Sequence, residues 1–173
     1  SNLIDDILRL SSLESKQAEE VSEPVELRGL CEDIFHSLEP IMQKRGITGE
    51  IIGSAVYRAY PDDLRQLVKN LIENAVKYNR ENGRVTVRLS PDAYQCVIGV
   101  ADTGIGIPLE HQSRIFERFY RVDKGRSKRE GGTGLGLSIV KHITAKYGGR
   151  ITLVSRPEEG TSIRVTLPVE QRE

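Results

Sequence analysis

Apolar residues along this chain recur with two different periods, and the alternation between them sets the element order. Leu3, Ile4, Ile7, Leu8 and Leu10, at three- and four-residue spacing, predict a short amphipathic helix with Asp5, Asp6 and Arg9 on its other side. It starts without a capping residue and its stripe has little to bury against, so it reads as the end of a longer helical hairpin. Polar residues 14–23 predict a linker, and Pro24 to Leu27 a short strand. Leu30, Cys31, Ile34, Leu38, Ile41 and Met42 form the stripe of a helix ending near Gly46. Residues 47–52 and 55–60 read as two strands separated by Gly53-Ser54.

A helix opened by Pro61 follows, with Asp62 expected as its N-cap and Leu64, Leu67, Val68, Leu71, Ile72 and Ala75 as its core face. It stops at Asn79 to Gly83; strands over 85–89 and 94–101 flank the turn Ser90 to Ala93. Leu109 to Ile115 reads as a brief helix, and the aperiodic, basic residues 122–130 as a surface loop. Ile139, Val140, Ile143 and Tyr147 mark one more helix, and residues 150–155 and 161–167 two final strands around the turn at 157–160. The expected class is α+β: strand pairs joined by short turns in a mixed sheet, covered on one face by helices.

At 173 residues the chain holds one core with an appendage. Its 25 basic and 25 acidic residues argue against a general binder of nucleic acid or anionic membrane, leaving room only for a local basic patch. Cys31 and Cys96 sit in apolar-periodic segments without neighbouring His or Cys, so buried thiols are expected rather than a zinc site. No apolar run approaches the roughly 20 residues that cross a bilayer, and no signal-peptide pattern opens the chain, so the expected material is cytosolic.

Three stretches carry candidate chemistry. Asp102-Thr103-Gly104-Ile105-Gly106-Ile107-Pro108 ends an apolar strand with a carboxylate, which is costly to bury without a partner, and follows it with glycines that admit a flat ligand. A heterocycle donating an amino hydrogen bond to Asp102 fits; an ordinary tight turn is the plainer reading. Asn70, Asn74, Lys77 and Tyr78 line a flank of the helix from Pro61, where amide oxygens suit Mg²⁺ and the ammonium suits phosphate, unless this is only a solvated face. Gly131-Gly132-Thr133-Gly134-Leu135-Gly136-Leu137-Ser138 opens a helix whose free amides suit an anion and whose glycines would let the preceding loop close. Phe116 to Arg121 adds a hydrophobic pair with Arg118 and Arg121 free to meet anions. No Gly-Lys-Ser/Thr triplet makes this a Walker loop, and the glycine spacing is wrong for a dinucleotide fingerprint.

In that order, over residues 24 to 168, the motifs resemble those of the ATP-binding catalytic domain of bacterial sensor histidine kinases, in the ATPase superfamily shared with gyrase, Hsp90 chaperones and MutL proteins. Asn70 to Tyr78 is similar to the family's N box, Asp102 to Ile107 to its first glycine box, Phe116 to Arg121 to its F box and Gly132 to Leu137 to its second glycine box. The resemblance implies a two-layer sandwich of the Bergerat type, a mixed sheet with three main helices on one face. It implies adenine at Asp102 with Gly104, Gly106 and Ile107 around it, and Mg²⁺ at Asn74 with Asn70. Lys77, Tyr78, Tyr120 and Arg121 would line the phosphate and lid side, with Gly132, Thr133, Gly134, Leu135, Gly136 and Leu137 cradling phosphates; Asn70, Lys77 and Arg121 would serve catalysis.

The implied reaction is transfer of the γ-phosphoryl group of ATP to a histidine on a separate dimerisation domain, with a response-regulator receiver as later partner and no nucleic acid. None of His36, His111 and His142 lies in the family's His-Glu-Leu-Arg-Thr-Pro-like acceptor segment, so the acceptor is expected upstream. The organisation expected is 1–14 as the end of a dimerisation helix, 15–23 linker, 24–169 catalytic domain and 170–173 tail. The full-length protein is expected as a membrane-anchored homodimer with this domain cytoplasmic, the isolated piece being monomeric. Two other functions stay open: an ATP hydrolase or clamp, disfavoured because those relatives carry a Glu base where Asn70 stands, and a nucleotide-binding regulatory module without catalysis.

Overall fold

A computed structural model describes residues 3–7, 21–117, 120 and 136–170. Residues 3–7 form helix α1. The chain then runs through β1 (Glu23–Glu26), α2 (Leu27–Arg45), β2 (Thr48–Gly53), β3 (Val56–Ala59), α3 (Pro61–Lys77), β4 (Arg84–Pro91), β5 (Gln95–Asp102) and the short α4 (Leu109–Gln112). It ends with α5 (Gly136–Lys146), β6 (Arg150–Arg156) and β7 (Gly160–Pro168).

The sheet is mixed, in the order β2-β4-β5-β7-β6, with β2 parallel to β4 and the remaining pairs antiparallel. Val85, Val87 and Leu89 of β4, Cys96, Ile98 and Val100 of β5, and Ile163, Val165 and Leu167 of β7 point to the same face, and all are buried. Helices α2, α3 and α5 cover that face, supplying Cys31, Ile34, Leu67, Leu71, Ile72, Ile139 and Ile143 to one continuous core. This is the α+β sandwich that the two periodicities lead one to expect. Both cysteines are buried and free; burial pushes the thiol of Cys31 up to about 12 and that of Cys96 up to about 11, so neither is ionised at neutral pH.

Helix α2 starts where the carboxylate of Glu26 accepts from the amides of Arg28 and Gly29, at 3.1 and 2.6 Å, and it ends at Gly46 in the left-handed conformation. Several sequence expectations are corrected. Asp62 does not cap α3: Pro61 occupies the first helical position, so the cap falls on Tyr60 without a side-chain bond and Asp62 lies inside the first turn. Asp63 is the buried member of that turn, accepting from Tyr147 Oη at 2.6 Å, with Lys146 Nζ at 2.8 Å. Strands β2 and β3 are not partners: β3 pairs with β1 in a separate two-stranded sheet, because β2 is taken up by the parallel crossover to β4 through α3. The helix at Leu109 stops at Gln112 rather than Ile115. Over residues 3–7, Leu3, Ile4 and Ile7 are exposed and Asp6 is buried, the reverse of the expected stripe; Leu8 and Leu10 lie outside the described residues.

Leu71 is 1% exposed in the middle of α3. Leu71→Ala is expected to lower unfolding stability by about 3 kcal/mol with an unchanged m-value in urea denaturation, because α3 cannot collapse onto the cavity without releasing the sheet.

Candidate functional site

The strand β5 that ends at Asp102 is the middle strand of the sheet, and side-chain alternation places Asp102 on the same face as Val100 and Ile98, towards the helices. Its carboxylate is half-buried, and Oδ1 accepts from the amides of Gly104 at 2.8 Å and Thr161 at 3.2 Å. Loss of water outweighs these two bonds, and its pKa is raised to about 6.

The turn after Asp102 is clamped to the end of α3. The amide of Ile105 donates to the carbonyl of Tyr78 at 3.3 Å. Gly104 comes so close that a Cβ there would lie 2.3 Å from the same oxygen, so any side chain would force the turn off the helix. The far wall of the turn is the β6–β7 hairpin: Glu158 N donates to Ile105 O at 2.8 Å and Ser155 Oγ accepts from Ile107 N at 2.7 Å. Gly160, at φ 127°, brings its backbone onto the carbonyl of Asp102, where a Cβ would meet that oxygen at 2.2 Å.

At the other end of the same helical stretch, a Cβ on Gly136, the first residue of α5, would lie 3.2 Å from Asn70 Oδ1. Asn70 donates its Nδ2 to Gln66 O at 2.8 Å, which leaves the amide oxygen towards α5. Thus the two glycine-rich segments touch α3 at Asn70 and at Tyr78, eight residues and roughly 12 Å apart along the axis. Asn74 and Lys77 are half-buried between those contacts. The Asn70 amide oxygen, turned to the Gly136 end of α5, is a neutral oxygen donor of the kind that suits Mg²⁺ shared with phosphate, which needs only one or two protein ligands. Among the described residues no group of three or more His, Cys, Asp or Glu is arranged to enclose a metal.

Of the remaining expected site residues, Tyr120 sits against α4, its hydroxyl bonded to His111 Nδ1 and its ring under the Arg114 guanidinium at 4.5 Å. Leu137 packs against the core. Arg121, Gly132, Thr133, Gly134 and Leu135 lie outside the described residues, as do Arg118 and the basic residues 122–130.

Sequence patterns missed the residues that hold the site together. Asn79, fully buried, accepts from Thr103 Oγ1 at 3.1 Å and donates to Arg84 O at 3.0 Å. Arg80 donates to Thr103 O and, at 2.6 Å, to Glu158 O, so one guanidinium ties α3, the turn and the hairpin together. Arg45 donates to Val76 O at 2.7 Å and to Asn79 O, placing a cation on the carboxyl end of α3. Asn79 and Arg80, directly after Lys77 and Tyr78, were the available signal, but that pair read only as a helix stop, and Arg45 lies too far away in sequence to be linked to them.

A family model for histidine kinase-, DNA gyrase B- and HSP90-like ATPases matches residues 59–171. Sensor protein kinase WalK of Staphylococcus haemolyticus is 37% identical over 171 residues; the match takes in 97% of this chain and 28% of the relative, so the chain spans little more than a quarter of it. A solved structure of the mycobacterial sensor histidine kinase MprB superposes with a TM-score of 0.70 at 32% identity, over 86% of this chain and 97% of that one. Full-length ShkA, solved in complex with AMPPNP, gives 0.80 at 27% identity, over 99% of this chain and 36% of that one.

The raised pKa of Asp102 has a defined consequence for stability. A carboxyl that holds its proton more tightly folded than unfolded favours the fold at low pH and loses that contribution as pH rises from near 4 to about 6. The cost stands in full at neutral pH, roughly 3 kcal/mol. Asp102→Asn keeps an oxygen for the Gly104 and Thr161 amides and removes the charge. It is expected to be more stable than the parent by about 2 kcal/mol near pH 7, with the gain vanishing near pH 4, as read by urea unfolding at the two pH values.

Proposed function

The chain belongs to the histidine kinase-, DNA gyrase B- and HSP90-like ATPase family, and from that premise we propose that it binds Mg-ATP and phosphorylates a histidine on a dimerisation domain. The observation that carries this reading is the desolvated carboxylate of Asp102, one oxygen tied to two amides, at one end of an α3 stretch whose other end meets the glycine-led start of α5. A base that donates an amino hydrogen bond would satisfy the second carboxylate oxygen, and polyphosphate would then lie along α3 towards Gly136. Gly104, Gly106 and Ile107 supply the thin backbone beside the base, and Tyr78 carries the carbonyl that anchors that turn.

In the transfer, the bond between the γ-phosphorus and the β,γ-bridging oxygen breaks as a bond to the acceptor imidazole nitrogen forms, ADP leaves, and the imidazole proton passes to solvent or a base on the acceptor domain. Catalysis of this kind is mainly positioning and charge neutralisation. Asn74 and Asn70 would hold Mg²⁺, which supplies charge neutralisation at the phosphate oxygens. Lys77 would contribute a cation at the phosphates, Arg121 would add a second, and Tyr120, held by His111 and Arg114, would lie on the lid side. The acceptor domain, a response-regulator receiver that takes the phosphoryl group onward, and membrane anchorage of the whole protein complete the proposal. Residues 24–169 are its catalytic unit. Hydrolysis is the weaker reading: Glu73, the carboxylate beside Asn74, faces Lys69 at 3.7 Å on another row of the helix.

Mixing the chain with an acceptor-bearing dimerisation domain and Mg-ATP is the direct test: phosphohistidine on the added domain is expected, and rapid phosphate release without acceptor would indicate the hydrolase instead. Asp102→Asn should weaken ATP binding by about 100-fold in calorimetry, since its Nδ2 would oppose the adenine amino group donor to donor. Asn74→Ala should weaken ATP binding when Mg²⁺ is present and leave binding in EDTA nearly unchanged; equal losses in both would remove Asn74 from the metal.

A further inference from the structure

The face of the sheet that the helices leave open is strongly basic. Strand register brings Arg84 and Arg88 of β4, Arg164 of β7, and Arg150 and Arg156 of β6 to this outer face, and all five are exposed. Among the described residues, Glu50 is the only acidic side chain at an outward strand position, and no Lys, Phe, Tyr or His occupies one. Arg156 approaches Glu159 at 3.9 Å. Arg88, Arg150 and Arg164 make no side-chain ion pair with a described residue. A chain with equal numbers of basic and acidic residues has therefore gathered unneutralised guanidinium groups on one side.

The floor beneath them is low. In one row across the sheet, Gly99 lies between Arg88 and Arg164, and in the next Ala101 lies between Thr86 and Ser162. A Cβ on Gly99 would meet nothing nearer than Arg88 O at 3.9 Å, so the space above this position is open. Arg88 and Arg164, two strands apart, stand roughly 10 Å from each other across a trough of small residues.

We propose that this face is a docking surface for an acidic protein partner, whose carboxylates enter the trough and pair with Arg88 and Arg164. Charge complementarity selects an anionic occupant, and guanidinium rather than ammonium groups suit bidentate carboxylate pairing. A single-stranded nucleic acid would need aromatic platforms, which the outward strand positions lack; among those positions the large exposed apolar side chains are Ile52 and Val154, one at each edge of the sheet, and not the continuous apolar face that a membrane surface would need. Arginine is the charged residue enriched at protein interfaces. The surface lies on the opposite side of the sheet from Asp102.

The test is titration of the ¹⁵N-labelled chain at low salt with an oligoglutamate peptide, with phosphatidylserine vesicles and short duplex DNA measured in parallel. The expected result is binding of the peptide in preference to the other two, with shifts centred on the amides of Gly99, Ser162 and Arg164. Affinity should fall about tenfold in Arg88→Gln/Arg164→Gln while ATP affinity is kept. Peptide shifts centred elsewhere, an unchanged peptide affinity in the double variant, no peptide binding, or tighter binding to vesicles or DNA would each overturn the proposal.

Discussion

A carboxylate stripped of most of its water at the end of an apolar strand is the constraint around which this domain is arranged. Asp102 gains two amide donors, from Gly104 and Thr161, and these do not compensate for what burial removes. The rest of the local structure prevents the strain from relaxing. The middle position of β5 in the sheet fixes the backbone on both sides, Gly160 seats the hairpin directly on the Asp102 carbonyl, and Gly104 seats the turn on α3. A carboxylate that could swing into solvent would keep an ordinary pKa and offer a ligand nothing that water does not.

Helix α3 then acts as the ruler of the site. Its buried stripe of Leu64, Leu67, Val68, Leu71 and Ile72 locks it against the sheet, so its flanking polar residues are held at fixed intervals. At one end the Asp63 carboxylate, Lys146 and Tyr147 join α3 to the end of α5. At the other, Arg45, Asn79 and Arg80 satisfy carbonyls of the last turn and of the adjoining loops, a place where unpaired acceptors would otherwise be left. The same rod thus sets the distance between the carboxylate end and the glycine-led end of the site, and it does so with ordinary packing.

How much of this the chain discloses by pattern depends on the kind of interaction. Periodicity located the core helices and the strands, because burial of Val85, Val87 and Leu89 on one face leaves a two-residue repeat that survives in the sequence. The glycine boxes and the asparagine row were visible as unusual residues at telling spacing. The pairing of β2 was not, since alternation shows which face a strand buries and not which neighbour it chooses. Arg45, Asn79, Arg80 and Thr161 were missed for a related reason: each acts through bonds to backbone or side chains brought near by the fold, and such bonds impose no repeat. The cap was expected two residues late, at Asp62 instead of Tyr60, because a proline can take the first turn of a helix as readily as it can precede it.

The claim that a desolvated, proton-holding carboxylate is the element used to grip a base can be examined at that one atom group. Carbon-13 NMR of the Asp102 carboxyl across a pH titration, with and without Mg-ATP, should show a midpoint at about 6 in the free protein and a fall of at least about one unit with nucleotide, because a donated amino hydrogen bond favours the ionised form. A midpoint near 4 in the free protein, or one that nucleotide leaves unmoved, would contradict it.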